Sequence, residues 1–347
     1  MNLVRRISAG ALSVLDFGPE KVSVLIAEKK GDVFRVLGGG EAPSAGVADG
    51  EVVHPGDASE AVIAAVRAAE SAAGISVETL YYNLDDAAVE QAVSTGSKTL
   101  PGEGEVRAAD VAEACHTAER LVGHFEKNIV YARPLGFLID DRDPVSEPVG
   151  VFGRKLDASV LILMARAEHC ESWRRVLRRA HVAKSVAVPT AWSVAYGVLS
   201  AEERKNKRIA ADAEPDFVTV FVFGENRIRA LKVFRPGGAS AADTGARLGE
   251  AARELASAET EAGELVVTGG LSADEAFWAA LASSQPPVLR RGLPSGVPGL
   301  EAPRYAALAG LVAVAEEYDR KKPILQRRKG LMASAKDKAV SFINEYF

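Results

Sequence analysis

The residues with the clearest chemical potential lie near the start of the chain, in a glycine-bearing turn between two apolar stretches. Asp16 and Gly18 lead into the turn, Pro19 and Glu20 form its tip, and Lys21 follows it. A turn of this layout can wrap a nucleotide phosphate with backbone N–H groups, hydroxyls and a lysine. Proline has no N–H to donate, and a glutamate carboxylate repels a polyphosphate. The layout therefore predicts a phosphate-binding hairpin that has lost the donors at its tip, the equally weighted alternative being a surface hairpin that binds no ligand.

Two glycine pairs further along the chain are also candidates for contact with a ligand. Gly237 and Gly238 close a second predicted hairpin, and Gly269 and Gly270 stand between an apolar strand and a predicted helix. A strand–glycine–helix arrangement lets a ligand approach the backbone. The alternative is that such a pair serves a turn or close packing, which is about twice as common.

The elements around these residues indicate an α/β fold with an internal repeat. A strand hairpin is predicted over 14–38, and a helix with one apolar face is predicted over 57–73. A polar, charged segment at 200–207 is typical of a domain boundary, and 217–234 then repeats the hairpin. Two such halves in one chain predict a duplicated fold with a cleft between them.

The first half is interrupted by a segment with a different order of elements. Residues 87–160 contain a predicted helix near 108–122 and a strand pair or one bent strand over 128–139. A near-continuous apolar strand follows over 156–164, which is typical of a buried strand. This segment is predicted to be a small inserted α+β subdomain.

Composition narrows the functional classes. The 347-residue chain has a net charge of −5, which argues against a general nucleic-acid role. No apolar run approaches the roughly 20 residues needed to cross a bilayer, and the first residues lack a signal-peptide core, so we expect a cytoplasmic body. Cys115 and Cys170 form no CxxC pair. Each has a histidine neighbour, His116 or His169, but adjacent side chains on a helix diverge, so no metal site is expected.

Several motifs in combination resemble the bacterial cell-division FtsA family of the actin-like superfamily. They are a strand and glycine loop at 31–50, a proline- and glycine-bearing loop at 143–156, the hairpin with its closing glycines at 223–238, and the loop at 266–270. The resemblance implies an actin-like (ribonuclease H-like) duplicated two-domain fold, in which the inserted α+β segment is subdomain 1C, SHS2-like. The PilM pilus-assembly family shares this architecture, but the loops here look more like FtsA.

The resemblance also implies a division of the whole chain into subdomains. In this division the second actin-like domain has a reduced subdomain 2B, which in the family contacts FtsZ. The implied parts are 1–86 and 161–200 (subdomain 1A), 87–160 (subdomain 1C), 201–315 (domain 2, with 2B reduced to about 239–264), 316–330 (basic linker) and 331–347 (amphipathic membrane-targeting helix).

Departures from the family pattern bear on its chemistry. The first phosphate loop carries Pro19 and Glu20 at its hydroxyl positions, and the second, placed at 213–219, has no glycine. The chain is therefore expected to be a pseudo-ATPase with no cofactor, the alternative being that it binds ATP and Mg²⁺. Any remaining nucleotide contact is expected at Asp16, Gly18, Lys21, Gly237, Gly238, Gly269 and Gly270.

The end of the chain has the pattern of an interfacial membrane anchor. Residues 320–338 are basic, and the apolar residues of 331–347 fall on one half of a helical wheel. The alternative is a helix that docks on the body or on a partner. The residues expected at the membrane are Arg327, Arg328, Lys329, Leu331, Met332, Lys336, Phe342, Ile343, Tyr346 and Phe347.

Together these features predict a non-catalytic FtsA-like adaptor on the inner face of the cell membrane. Its expected partners are cell-division or envelope proteins, FtsZ-like or divisome membrane proteins among them. An anionic membrane surface and further copies of the protein itself are also expected partners. No nucleic-acid partner is expected. Two alternatives remain open: an ATP-binding actin-like protein that polymerises, and a PilM-like platform of a pilus or secretion machine.

Overall fold

Strands and helices alternate along the chain in the computed structural model, which describes residues 10–31, 33–48, 50–122, 126–258, 264–284 and 288–321. Within these residues, no helix is both long enough and apolar enough to cross a membrane. In chain order the elements are β1 (Ala11–Phe17), β2 (Lys21–Lys30), β3 (Val33–Pro43), β4 (Val47–Ala48), β5 (Glu51–Val52), α1 (Pro55–Ala73), β6 (Thr79–Leu84), β7 (Val89–Glu105), α2 (Ala108–Leu121), β8 (Lys127–Ile139), β9 (Phe152–Arg166), α3 (Ala167–Arg179), β10 (Lys184–Pro189), α4 (Thr190–Val198), β11 (Arg208–Ala213), β12 (Val218–Gly224), β13 (Arg227–Phe234), α5 (Ala241–Ala258), β14 (Glu264–Thr268), α6 (Glu275–Ser283), β15 (Val288–Arg291) and α7 (Ala306–Lys321).

Contacts between these elements divide the chain into two units. Among the described residues, unit 1 comprises 10–89 and 167–316, and unit 2 comprises 90–166 and 317–321. The polar segment at 200–207 therefore lies within unit 1, where it connects the two halves.

Unit 1 contains two five-stranded sheets that share one topology. The strand order is β10-β6-β1-β2-β3 in the first sheet and β15-β14-β11-β12-β13 in the second. In each sheet the first strand of the hairpin, β1 or β11, pairs antiparallel with the next strand and parallel with a later one. The repeated hairpins thus form the same part of each sheet, and the fold is duplicated as the sequence predicts.

The glycine run in β3 serves the packing of a helix on the first sheet. The sequence predicts that this strand ends at Gly38, which is wrong, because β3 continues to Pro43. A Cβ added at Gly38 would lie 2.5 Å from the α1 backbone, and one at Gly40 only 2.1 Å from it. Helix α1 therefore packs directly on the strand. Its predicted apolar face is the buried one: Ala61, Val62, Ala65, Val66 and Ala69.

The second half of unit 1 has its own core between the sheet and two helices. Helix α5 is the one helix that the described residues contain between β13 and β14, within the segment predicted as a reduced subdomain. The Ser240 hydroxyl accepts a hydrogen bond from the Asp243 N–H at 3.1 Å and so caps its first turn. Core residues include Ile209, Val220, Val222, Leu248, Ala252, Leu265, Val267, Phe277 and Leu281.

Unit 2 is a three-stranded sheet, in the order β7-β9-β8, covered by α2. Strand β8 is one bent strand, since its register with β9 shifts at two places. Residues 102–105 are the end of the 17-residue edge strand β7, which leads into α2. The core includes Leu100, Val111, Cys115, Phe137, Leu156, Val160 and Ile162.

Helix α7 extends to Lys321, into the segment predicted as a linker. The rest of the predicted tail lies outside the described residues. This applies to every proposed membrane residue: Arg327, Arg328, Lys329, Leu331, Met332, Lys336, Phe342, Ile343, Tyr346 and Phe347.

Candidate functional site

The two hairpins of unit 1 place an aspartate at equivalent positions. Asp16 of β1 is opposite Ser23 of β2, and Asp212 of β11 is opposite Thr219 of β12. Both pairs have the same separation along the chain and stand at the end of the first hairpin strand. The predicted second phosphate loop, at 213–219, does not include Asp212, because that prediction relied on the glycines of the family pattern. Superposing 16–23 on 212–219, which also aligns the two turn prolines, would have found it.

The turns that follow these aspartates fold alike but differ in chemistry. In the first turn the Gly18 N–H donates to the Lys21 carbonyl at 3.0 Å, and in the second the Glu214 N–H donates to the Phe217 carbonyl at 3.0 Å. Glu214 therefore occupies the position that Gly18 occupies in the first half. In both turns this backbone donor is bonded to the protein's own carbonyl.

Glu214 contacts the loop that contains the second glycine pair, Gly269 and Gly270. Its carboxylate accepts a hydrogen bond from the Gly270 N–H at 2.9 Å. Gly269 has a φ of 92°, and a Cβ there would lie 2.5 to 2.8 Å from backbone atoms of Ala213. Only glycine fits this conformation and this close approach. The pair thus serves packing between the β11 and β14 segments, and one of its N–H groups is bonded to a carboxylate.

Lys21, the candidate phosphate-binding lysine, is also engaged. Its ammonium lies 2.7 Å from the Glu41 carboxylate and 5.9 Å from the centre of the Tyr305 ring. The hydrogen bond to Glu41 raises the pKa of Lys21. The tip of the hairpin is itself held by Ser44, whose hydroxyl donates to the Gly18 carbonyl and whose N–H donates to the Glu20 carbonyl.

Gly237 and Gly238 differ from the other glycine pair. Both have positive φ angles, 63° and 81°, and a Cβ at either would meet no atom within 4 Å. They form an open turn before α5, so the left-handed conformation and not a close contact requires glycine here.

Two aspartates lie fully inside unit 1 next to the hairpin ends. Asp86 is 0% exposed and Asp212 is 3% exposed. Burial raises the pKa of Asp212 to about 7, and the charges of Asp16 and Asp85 add to the rise. Burial and the Asp85 charge raise the pKa of Asp86 well above its usual value, although its carboxylate accepts a hydrogen bond from the Ala191 N–H at 2.8 Å.

Asp16 and Glu214 are half-buried and complete this acidic group. Burial raises the pKa of Asp16, and a hydrogen bond from the Asn83 amide at 3.0 Å partly offsets the effect. Burial and the Asp212 charge raise the pKa of Glu214, against the Gly270 hydrogen bond. We call Asp16, Asp86, Asp212 and Glu214 the acidic cluster. Each raised pKa favours the protonated, uncharged form of its carboxyl.

No group of three or more His, Cys, Asp or Glu side chains within the described ranges is arranged to hold a metal ion. Cys115 and Cys170 are buried free thiols. His116, next to Cys115, points outward and lies 3.3 Å from Glu119.

Part of the chain is similar in sequence to the cell-division protein FtsA. A family model for the SHS2 domain inserted in FtsA matches residues 87–164. The cell-division protein FtsA of Rhizobium meliloti is 28% identical over 229 residues, covering 62% of this chain and 51% of that protein. FtsA of Escherichia coli is 23% identical over 220 residues, covering 63% and 52%. The chain therefore spans about half the length of the curated relatives it matches.

Solved structures match over more of the chain. A chain of the PilM–PilN type IV pilus biogenesis complex superposes with a TM-score of 0.64 at 16% identity, covering 89% of this chain and 99% of that one. The ethanolamine utilization protein EutJ of Carboxydothermus hydrogenoformans gives 0.51 at 11% identity, covering 88% and 90%. The duplicated sheets and these likenesses define an actin-like fold with an inserted SHS2 domain. Within that class, the chain is similar to FtsA over about 62% of its length.

Proposed function

We propose that this protein is a non-catalytic actin-fold adaptor of bacterial cell division, which recruits partners at the inner face of the cell membrane and does not hydrolyse ATP. One observation carries the non-catalytic part: the Glu214 carboxyl group accepts a hydrogen bond from the Gly270 N–H, so an internal acceptor occupies a donor that a nucleotide could otherwise use. The similarity to FtsA carries the cell-division part.

Three further features support a site without nucleotide. The Gly18 N–H is bonded within its own turn, Pro19 has no N–H, and Lys21 is paired with Glu41. The acidic cluster consists of carboxyls alone, so it offers a triphosphate no cationic donor. A triphosphate depends on charge-assisted donors, and here the local donors are already engaged.

Calorimetric titration with Mg-ATP tests this proposal. The unaltered chain is expected to show no binding at micromolar concentrations. Glu214→Gln is titrated in parallel, because it replaces the titratable carboxyl with an amide of the same shape. Micromolar, Mg²⁺-dependent binding by the unaltered chain would contradict the proposal and favour an ATP-binding, polymerising protein.

The adaptor part rests on two segments with different support. The SHS2 domain at 87–164 is a separate lobe of the kind found in FtsA, and we propose that it binds a division or envelope partner. The sequence of 331–347 has the amphipathic pattern of a membrane anchor, and we propose that it attaches the protein to anionic lipid. A pull-down from membranes, with and without 331–347, tests both parts at once.

A second candidate function is a platform in a pilus or secretion machine. It is favoured by the structural likeness to a chain of the PilM–PilN complex, which extends over 99% of that chain. The identity of the captured partner separates the two candidates. A division protein supports the adaptor, and a pilus or secretion component supports the platform.

A further inference from the structure

Helix α3 presents an unusual surface. It buries His169, Cys170, Trp173, Val176 and Leu177 in the body of unit 1. All of its exposed side chains are charged, and four of the five are arginines. They are Glu168, Arg174, Arg175, Arg178 and Arg179.

One carboxylate, that of Glu171, forms ion pairs with three of these guanidinium groups. Glu171 lies 3.6 Å from Arg174 and 3.5 Å from Arg175, and it accepts a hydrogen bond from Arg178. The hydrogen bond and the three positive charges lower the pKa of Glu171, so it stays ionised. One negative charge cannot neutralise three positive ones. We call Arg174, Arg175, Arg178 and Arg179 the α3 arginine face; it carries excess positive charge on a chain whose net charge is −5.

The composition of this face limits what can bind it. Stable protein interfaces are centred on buried aromatic or aliphatic anchors, and α3 exposes no apolar side chain. Guanidinium groups pair well with phosphate oxygens, in a bidentate geometry that lysine lacks. The ligand chemistry that fits is therefore a phosphate-rich anionic surface.

The size and shape of the face distinguish a bilayer from a nucleic acid. The four arginines span only about 8 Å along the helix axis at 1.5 Å per residue. A DNA-binding protein can make about 6–10 phosphate contacts, more than four arginines over this length supply. Lipid headgroups are mobile and can gather beneath a small patch, which makes a bilayer the better match.

We propose that the α3 arginine face docks on the surface of an anionic phospholipid bilayer. This contact is additional to the proposed C-terminal anchor and does not depend on it. Peripheral proteins commonly need two weak membrane signals for stable attachment. The face would supply an electrostatic signal from the folded body, and it would restrict which side of unit 1 faces the lipid.

Co-sedimentation of the full chain with vesicles tests the proposal. The vesicles contain phosphatidylcholine with about one third phosphatidylglycerol, and pure phosphatidylcholine vesicles serve as the neutral reference. The variant replaces all four arginines of the face with glutamine. The matched control replaces four dispersed, exposed cations with glutamine and so has the same net charge: Lys30, Arg142, Lys205 and Arg253.

We expect the face variant to lower partitioning on anionic vesicles at least tenfold, against less than about threefold for the control. Glu171→Gln removes the counter-charge that is paired with three of the four arginines, so it should strengthen partitioning several-fold. Binding of the parent should weaken as salt rises. Thermal melting checks that each variant is folded. The Glu171 variant removes no cation, so it reports on the face even if the quadruple variant is unstable.

Several outcomes would overturn the proposal. Equal partitioning of the face variant and the control would do so, as would no gain from Glu171→Gln or equal binding to neutral vesicles. Complete displacement of the protein from vesicles by an equal phosphate concentration of single-stranded RNA would show a general polyanion site. Failure of the C-terminal anchor is distinguishable, because Phe342→Glu with Ile343→Glu would then bind like the parent while the face variant would not.

Discussion

Replacing Asp212 with asparagine should stabilise the protein progressively as pH rises. Asp212 is 3% exposed, and burial together with the Asp16 and Asp85 charges raises its pKa to about 7. The usual value in an unfolded chain is about 3.9. Because the folded pKa is the higher one, the folded state favours the protonated carboxyl. Its contribution to stability is present in full below about pH 4 and is lost as pH rises through 7.

The size of the effect follows from these two pKa values. Integrating the linkage relation gives a penalty for ionisable Asp212 of about 1–2 kcal/mol at pH 5 and about 4 kcal/mol at pH 8. The stability of Asp212→Asn relative to the parent should therefore rise by about 2–3 kcal/mol between the two pH values. Any packing change caused by asparagine is the same at both pH values, so it cancels in this difference.

Urea denaturation of parent and variant at pH 5 and pH 8 measures the difference. Asp216→Asn is the matched control, because Asp216 lies in the same turn and is exposed. Its stability relative to the parent should change little with pH. If the Asp212→Asn and parent curves run parallel between pH 5 and pH 8, Asp212 titrates normally and the account of the acidic cluster is refuted.

Three other predictions concern packing, the membrane and the inserted lobe. Gly40→Ala should cost about 2 kcal/mol or more in urea denaturation, because its Cβ would lie 2.1 Å from an α1 carbonyl oxygen, whereas Gly39→Ala has room at 3.7 Å. Phe342→Glu with Ile343→Glu should reduce co-sedimentation with anionic liposomes; unchanged sedimentation would indicate a protein-docking helix. Deleting 90–166 should leave a body with a cooperative thermal transition that no longer captures one partner, and loss of that transition would show the lobe to be part of the core.

Local sequence patterns were sufficient to predict the duplicated fold. Each hairpin combines apolar strands with a short polar turn, so the duplication is visible in the sequence, as is the buried face of α1. The inserted lobe was also recognisable, because its order of elements differs from that of the halves around it.

Features that depend on tertiary contact were not predictable in the same way. The glycines of β3 suggest a turn locally, but close packing of α1 requires them inside a strand. Pro101 and Gly102 suggest a loop, yet they lie in β7, an edge strand, where a missing N–H is tolerated. The acidic cluster depends on burial, which no local pattern reports, and Asp212 was visible only by aligning the two halves.

Glu214 lies in the second turn at the position that Gly18 occupies in the first turn. This difference determines which substitutions could alter the two turns. In the first half, Pro19 at the tip of the hairpin has no N–H to donate. In the second half, the Glu214 carboxyl accepts a hydrogen bond from the N–H of Gly270, in the loop that follows β14. Under the proposed non-catalytic function, a single substitution in one turn would leave the other turn unsuited to phosphate. A phosphate cradle would thus require changes in both turns, at Pro19 and Glu20 in the first and at Glu214 in the second.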